Sequence, residues 1–232
     1  RKALDDWRLE VRDGGIIPET EYKTLAGSSS LYDYLRSASC PFQELLKASD
    51  LAVLGGQQDL NTFLKYLKNT NPALRYWGVT GLLCLKEGAR SAIPALKEAA
   101  DDPSASVATL AAEALYRLGD KETSIKTYAR LLRTTDYDAT SRNFTLNSID
   151  AIDASDPELI AMVRNLSGEL EKISVEVPAG PVGGGFYGDY VPGKLQNTQP
   201  SGAQAVQVQR TRPYSDYDLT LCKYLLSKWG VN

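Results

Sequence analysis

The chain has 232 residues and carries 26 Lys+Arg against 29 Asp+Glu, a net charge of −3, with no histidine. The missing histidine excludes a Ser-His-Asp or Cys-His catalytic unit and any His-ligated metal built from these residues. A near-neutral, slightly acidic balance argues against a surface made to wrap nucleic acid or anionic lipid. Three well-separated cysteines, Cys40, Cys84 and Cys222, spell neither a disulfide framework nor a zinc knuckle, although one bridge between two of them stays open. Cys84 sits among Leu82, Leu83 and Leu85 and reads as a small buried hydrophobe. No apolar stretch is long enough to span a membrane. The opening Arg1-Lys2-Ala3-Leu4 reads as mid-helix with no signal peptide, so a boundary inside a longer protein is expected there.

Residues 1–54 read as helical linker. A first helix carries Leu4, Trp7 and Val11 and closes at Gly14-Gly15; a Pro-containing turn and polar helices then lead to Phe42, Leu45, Leu46, Leu51 and Leu54. Residues 55–172 read as repeats. The stretch from Leu74 to Leu82 aligns with Val107 to Leu115, 33 residues later, and with Ser141 to Ile149, 34 residues after that. Small residues recur where one helix must approach another closely: Gly78, Val79 and Gly81, then Ala111, Ala112 and Ala114, then Thr145 and Ser148. Each copy is preceded by a helix with one apolar face: Leu60, Phe63, Leu64 and Leu67; then Ile93, Leu96, Ala99 and Ala100; then Tyr128, Leu131 and Leu132. Proline stops one helix and Asn, Asp or Ser caps the next in the turns Asn69–Pro72 and Asp101–Ser104, and Thr134–Asp138 has the same turn chemistry. A helix pair cannot bury its own face, so pairs must stack, and the reading is all-α: a short solenoid of antiparallel helix pairs.

Residues 173–213 change character. Ile173, Val175 and Val177 alternate with polar residues as a short strand, and a Gly/Pro-rich loop with Phe186, Tyr187 and Tyr190 follows. Val206 and Val208 alternate as a candidate partner strand of a hairpin. Residues 214–232 read as a closing helix capped at Ser215, with Leu219, Cys222, Leu225, Leu226 and Trp229 on the face that docks on the last repeat.

No catalytic, cofactor-binding or metal residue emerges. Gly183-x-Gly185-x-x-Gly188 matches the dinucleotide fingerprint literally, but Asp189-Tyr190-Val191-Pro192-Gly193 cannot open the helix that would hold the pyrophosphate. Asp101-Asp102 and Asp216 with Asp218 read as helix caps and first-turn dipole partners, since nothing sets them across a cleft. Arg75-Tyr76-Trp77 reads as an inter-repeat packing cluster, with Arg75 bonding a neighbouring turn, ahead of an exposed recognition patch.

A Pro-bearing turn, a Val/Leu-Arg/x pair, a small-residue face and a closing Leu-Gly resemble the short bacterial HEAT-like repeat. Earlier in the chain, Arg12-Asp13-Gly14-Gly15-Ile16-Ile17-Pro18-Glu19, then Ser30-Leu31-Tyr32-Asp33 with Arg36, then Pro41-Phe42-Gln43-Glu44-Leu45, resemble in order the segment that follows the catalytic domain in bacterial secreted sulfatases of the arylsulfatase and N-sulfoglucosamine sulfohydrolase group. The resemblance covers about residues 5 to 153. It implies a non-catalytic C-terminal domain packing on its own N-terminal catalytic domain, periplasmic or extracellular, with Arg12, Asp13, Glu19, Tyr32, Arg75, Tyr76 and Trp77 as interface or packing residues. That family's formylglycine motif C/S-x-P-S-R and its calcium ligands have no match here, so calcium is expected only in the catalytic domain and no cofactor in this chain. Two other readings stand beside it. One is a free-standing HEAT-like scaffold binding another protein on its concave face. The other, a HEAT-like DNA glycosylase or phycobilin lyase, is opposed in its glycosylase form by the net charge of −3.

Overall fold

A computed structural model describes residues 2–133, 139–153, 155–172, 174–177, 210–213 and 216–231. Its helices are α1 (Lys2–Val11), α2 (Tyr22–Ala26), α3 (Leu31–Arg36), α4 (Phe42–Leu54), α5 (Leu60–Tyr66), α6 (Pro72–Cys84), α7 (Ile93–Ala100), α8 (Ala105–Arg117), α9 (Lys121–Leu131), α10 (Ala139–Ile152), α11 (Pro157–Lys172) and α12 (Asp216–Lys228). From α4 onward they form two layers. One layer stacks α4, α6, α8, α10 and α12 side by side; the other sets α5, α7, α9 and α11 against them. The chain is an α-solenoid.

Local chemistry sets the helix starts. Asn71 accepts from the Ala73 amide at 2.9 Å with Pro72 following it, Ser104 accepts from Val107, and Asp120 from Thr123. Gly119, at φ +97, ends α8 in a conformation that costs a glycine little. Close approach explains the small-residue stripe. A methyl at Gly78 would sit 2.7 Å from Leu67 Cδ1, and one at Gly81 would run into the Phe63 ring, so these positions let α5 lie flat on α6.

Helix α8 is buried on every face from Ala105 to Tyr116. Helices α7 and α9 cover one side, and α6 and α10 flank it. On the remaining side Tyr76 of α6 and Phe144 of α10 meet with ring centroids 6.3 Å apart, so the inner surface over α8 is closed by the chain's own aromatics. Arginines tie successive helices by donating to carbonyls at helix C-terminal ends: Arg90 to Leu118, Arg117 to Ala151, and Arg130 to Ala100.

Residues 13–42 wrap back onto the stack rather than trailing from it. Ile16, Ile17, Tyr34, Leu35 and Cys40 share an apolar cluster with Phe42, Leu45 and Ala48 of α4 and Ala73 and Leu74 of α6. Farther along, the buried Glu21 carboxylate accepts from Ser104 Oγ at 2.7 Å and Ser106 Oγ at 3.2 Å, beside the N-terminus of α8. A negative group there is favoured by both the hydroxyls and the helix dipole.

At the other end α12 docks through Leu219, Cys222 and Leu225 against α10 and α11. Two short strands, β1 (Ser174–Val177) and β2 (Arg210–Pro213), pair antiparallel between α11 and α12, with Val175 opposite Arg212. The partner of β1 is therefore Arg210–Pro213; Val206 and Val208, expected in that role, lie outside the described residues, as do the glycine fingerprint at 183–188, the turn at 134–138 and Ser215. Among the described residues no helix is long and apolar enough to cross a membrane.

Candidate interaction surfaces

The residues singled out from sequence fall into two groups, most of them held by internal partners. Arg12, at φ +53 just past α1, donates to the Leu35 carbonyl at 2.7 Å and lies 5.7 Å from the Phe42 ring centre. Arg36 returns the gesture, donating to the Val11 carbonyl at 2.8 Å while stacking 3.6 Å over the exposed Tyr32 ring. Two helix C-termini are thus capped reciprocally by arginines. Asp13 caps the turn Gly14–Ile16 by accepting from Gly15 at 2.9 Å, and Glu19 stands exposed in the next turn.

The second group is on α6. Arg75 grips Asp102 with two bonds of 2.7 and 2.8 Å and also donates to the Asn69 and Thr70 carbonyls. Asp102 is therefore a partner across the repeat, while Ser104 does the capping. Tyr76 packs edge-on to Trp77 at 5.2 Å, and the Trp77 indole donates to the Ile16 carbonyl at 2.8 Å. The trio joins α6 to the next repeat and to the N-terminal wrap. Of the two groups, Asp13 and Trp77 come together on one groove, and the others stay apart from it.

Two further sequence readings change. Cys84, read as buried, is exposed: the Leu82 side chain next to it turns fully inward, and the thiol one residue-pair further round the helix faces out at its C-terminal end. Asp218, read as a first-turn dipole partner, is fully buried and bonds Arg142, also fully buried, at 3.0 Å between Oδ2 and Nε. All three cysteines are free. Burial, with the Asp218 carboxylate adding to it, pushes the Cys222 thiol up to about 12; burial also raises Cys40 and, in part, Cys84.

The interior also holds an extended polar chain. Arg117 and Ser148 both bond Glu113, and Ser148 meets the Tyr128 hydroxyl at 3.0 Å. Burial drives the Tyr128 phenol far above its usual range. This network pins α8, α9 and α10 together. Among the described residues no group of three or more His, Cys, Asp or Glu side chains could hold a metal ion.

Residues 60–145 match the family model for HEAT repeats. This stretch is a HEAT-like repeat domain. No curated protein and no solved structure matches the chain. Exposed apolar surface on a stacked array of helical repeats is where a candidate site is sought.

That surface is concentrated at one end. Among the described residues the strongly exposed large hydrophobic side chains are Leu4, Trp7, Leu9 and Val11 on α1, Val53 and Leu54 on α4, and the tyrosines 32, 217 and 224. Helix α1 runs antiparallel to α4, because Arg8 binds Asp50 with bonds of 2.7 and 3.0 Å while Arg12 reaches Phe42. It is not packed backbone-to-backbone on α4 as α4 is on α6. Leu4, Trp7 and Val11 instead face Phe42, Leu46 and Trp77 across an open groove of about 320 Å3. Sequence reasoning named Leu4, Trp7 and Val11 as one helix face but not that they meet an unfilled groove. The legible signal was the amphipathic spacing of the first helix.

Proposed function

We propose that the chain is a non-catalytic helical scaffold that seats a protein partner on its α1–α4 end, and that this partner is the catalytic domain of a bacterial sulfatase-family protein preceding it in the same exported polypeptide. The observation that carries the docking reading is the gathering of Leu4, Trp7, Val11, Val53 and Leu54, all exposed, at one end of the stack. What supports the sulfatase reading is the ordered succession of the Arg12–Glu19, Ser30–Asp33 and Pro41–Leu45 motifs ahead of the repeats. The chain's own part is to hold that end rigid: the reciprocal Arg12 and Arg36 caps, the Trp77–Ile16 bond and the Glu21 anchor on α8 fix the N-terminal wrap to the repeats. Formylglycine chemistry and calcium belong to the catalytic domain in this reading, and sulfate-ester hydrolysis by residues 1–232 alone should be blank.

The coding sequence upstream of Arg1 tests the assignment. A Cys/Ser-x-Pro-Ser-Arg motif in frame supports it; an upstream sequence without that motif overturns it. Binding of a separate protein along the inner helix layer is the competing idea, and it is disfavoured because Tyr76 and Phe144 already close over α8.

A further inference from the structure

We infer that the groove between α1 and α4 receives an amphipathic helix of the partner, an inference that rests on the docking reading above and names the element that docks. The walls decide the class of occupant. Both long walls are α-helices, which present side chains and no strand edge, and the Ile16 carbonyl in the 3-10 turn at the rim already accepts the Trp77 indole. An extended segment laid in the groove would find no edge to pair with, leaving its own N–H and C=O groups unsatisfied against apolar side chains. A helix arrives with its backbone bonds made and presents only side chains.

Length and charge narrow it further. Leu4 to Val11 spans about two helical turns, roughly 11 Å, which matches apolar anchors spaced i, i+4 and i+7 on the incoming helix. At the mouth Arg8 is engaged by Asp50, whereas the exposed Asp13 carboxylate accepts one amide, from Gly15. The rim therefore favours Lys or Arg flanking the apolar stripe. At the opposite end of the stack α12 turns Leu219 and Leu225 inward and leaves Tyr217 and Tyr224 exposed, side chains that carry their own hydroxyls.

Three tryptophans make the test direct. Trp7 and Trp77 line the groove, and Trp229 sits at the far end as an internal control. The indole N–H resonances of the 15N-labelled chain are followed while a 14-residue synthetic helix is added, with Leu at i, i+4 and i+7 and Lys and Ala elsewhere. A second titration uses the same peptide carrying a central proline. The helical peptide is expected to move the Trp7 and Trp77 signals saturably and leave Trp229 in place. The proline peptide, and the variants Leu46→Glu and Leu4→Glu, should bind at least tenfold more weakly; an unmoved Trp229 signal in each variant reports that the fold is kept. Three results would overturn the inference: no movement of Trp7, equal movement by the proline peptide, or movement of Trp7 with protein concentration alone, which would put a second copy in the groove. The upstream-motif test has no bearing on these titrations, so either reading can fail without the other.

Discussion

The pair Arg142–Asp218 yields the sharpest consequence of the structure. Both side chains are fully buried, and they join α10 to the C-terminal helix across a span of 76 residues in sequence. Truncation by Asp218→Ala takes the carboxylate away from the buried Arg142 guanidinium, and breaking a buried pair in this way costs about 3–5 kcal/mol. The loss falls on the docking of α12. At roughly 1.4 kcal/mol per decade, the fraction of molecules with α12 undocked should rise by about two to three and a half powers of ten. Cys222 reports it: the thiol is fully buried on α12 and held protonated, so it is alkylated only when α12 leaves. Timed iodoacetamide labelling read by mass spectrometry, in native buffer, should show Cys222 labelling accelerate by about that factor. Cys40, buried in the N-terminal cluster, should stay protected, which separates local undocking from global unfolding. Replacing both partners, Arg142→Met with Asp218→Leu, should restore protection to within about tenfold of the starting chain, because an apolar pair of similar volume commonly replaces a buried ion pair at little cost. If Asp218→Ala changes Cys222 labelling less than threefold, or if Cys40 rises in parallel, the pair is not what holds α12.

Other consequences can be checked in urea or by labelling. Gly81→Ala drives a methyl into the Phe63 ring and should destabilise by about 1–3 kcal/mol, a loss that Phe63→Leu partly reverses in the double variant. Glu21→Ala removes the acceptor of the Ser104 and Ser106 hydroxyls and should cost about 1.5–3 kcal/mol, seen as a lower urea midpoint, whereas an unchanged midpoint would show that the wrap is held without it. The Lys97 ammonium, bonded to Asp120 at 2.7 Å, holds that carboxyl below its ordinary value, so its stabilisation is present above about pH 4 and fades as pH falls further. Asp120→Asn keeps a capping oxygen and should reduce the loss of stability between pH 5 and 3, on the order of one pH unit either side of the carboxylate range; an unaltered pH profile would remove the pair from the account. In the unmodified chain Cys84 should be the thiol that reacts first with a maleimide, ahead of Cys40 and Cys222.

The repeat period, the capping turns Asn69–Pro72 and Asp101–Ser104, and the small residues at 78, 81, 111 and 114 could all be placed from the chain alone, because turn chemistry, apolar spacing and close-approach positions are local properties written in consecutive residues, although the second cap falls on Ser104 and not on Asp101 or Asp102. So could the inward face of the last helix, whose Leu219, Cys222 and Leu225 follow the 3.6-residue period. What the chain alone left open depends on partners far apart in sequence. Asp218 looks like any carboxylate in a first helical turn until folding brings Arg142 against it. Glu21 looks like one more acid in a polar turn until the N-terminal wrap brings it against Ser104, 83 residues along the chain, at the N-terminus of α8. Cys84 has leucines on three sides in sequence, yet rotation about the helix axis turns it outward while Leu82 turns in. The open groove is of the same kind. Amphipathicity specifies that Leu4, Trp7 and Val11 share a face, but whether a neighbour fills the space opposite is settled by how α1 is tethered, through Arg8 and Asp50, at a distance from α4 that leaves the apolar walls apart. Absence of histidine and near-neutral charge exclude chemistries from the first reading; only the packed stack shows where the chain is left with an uncovered surface.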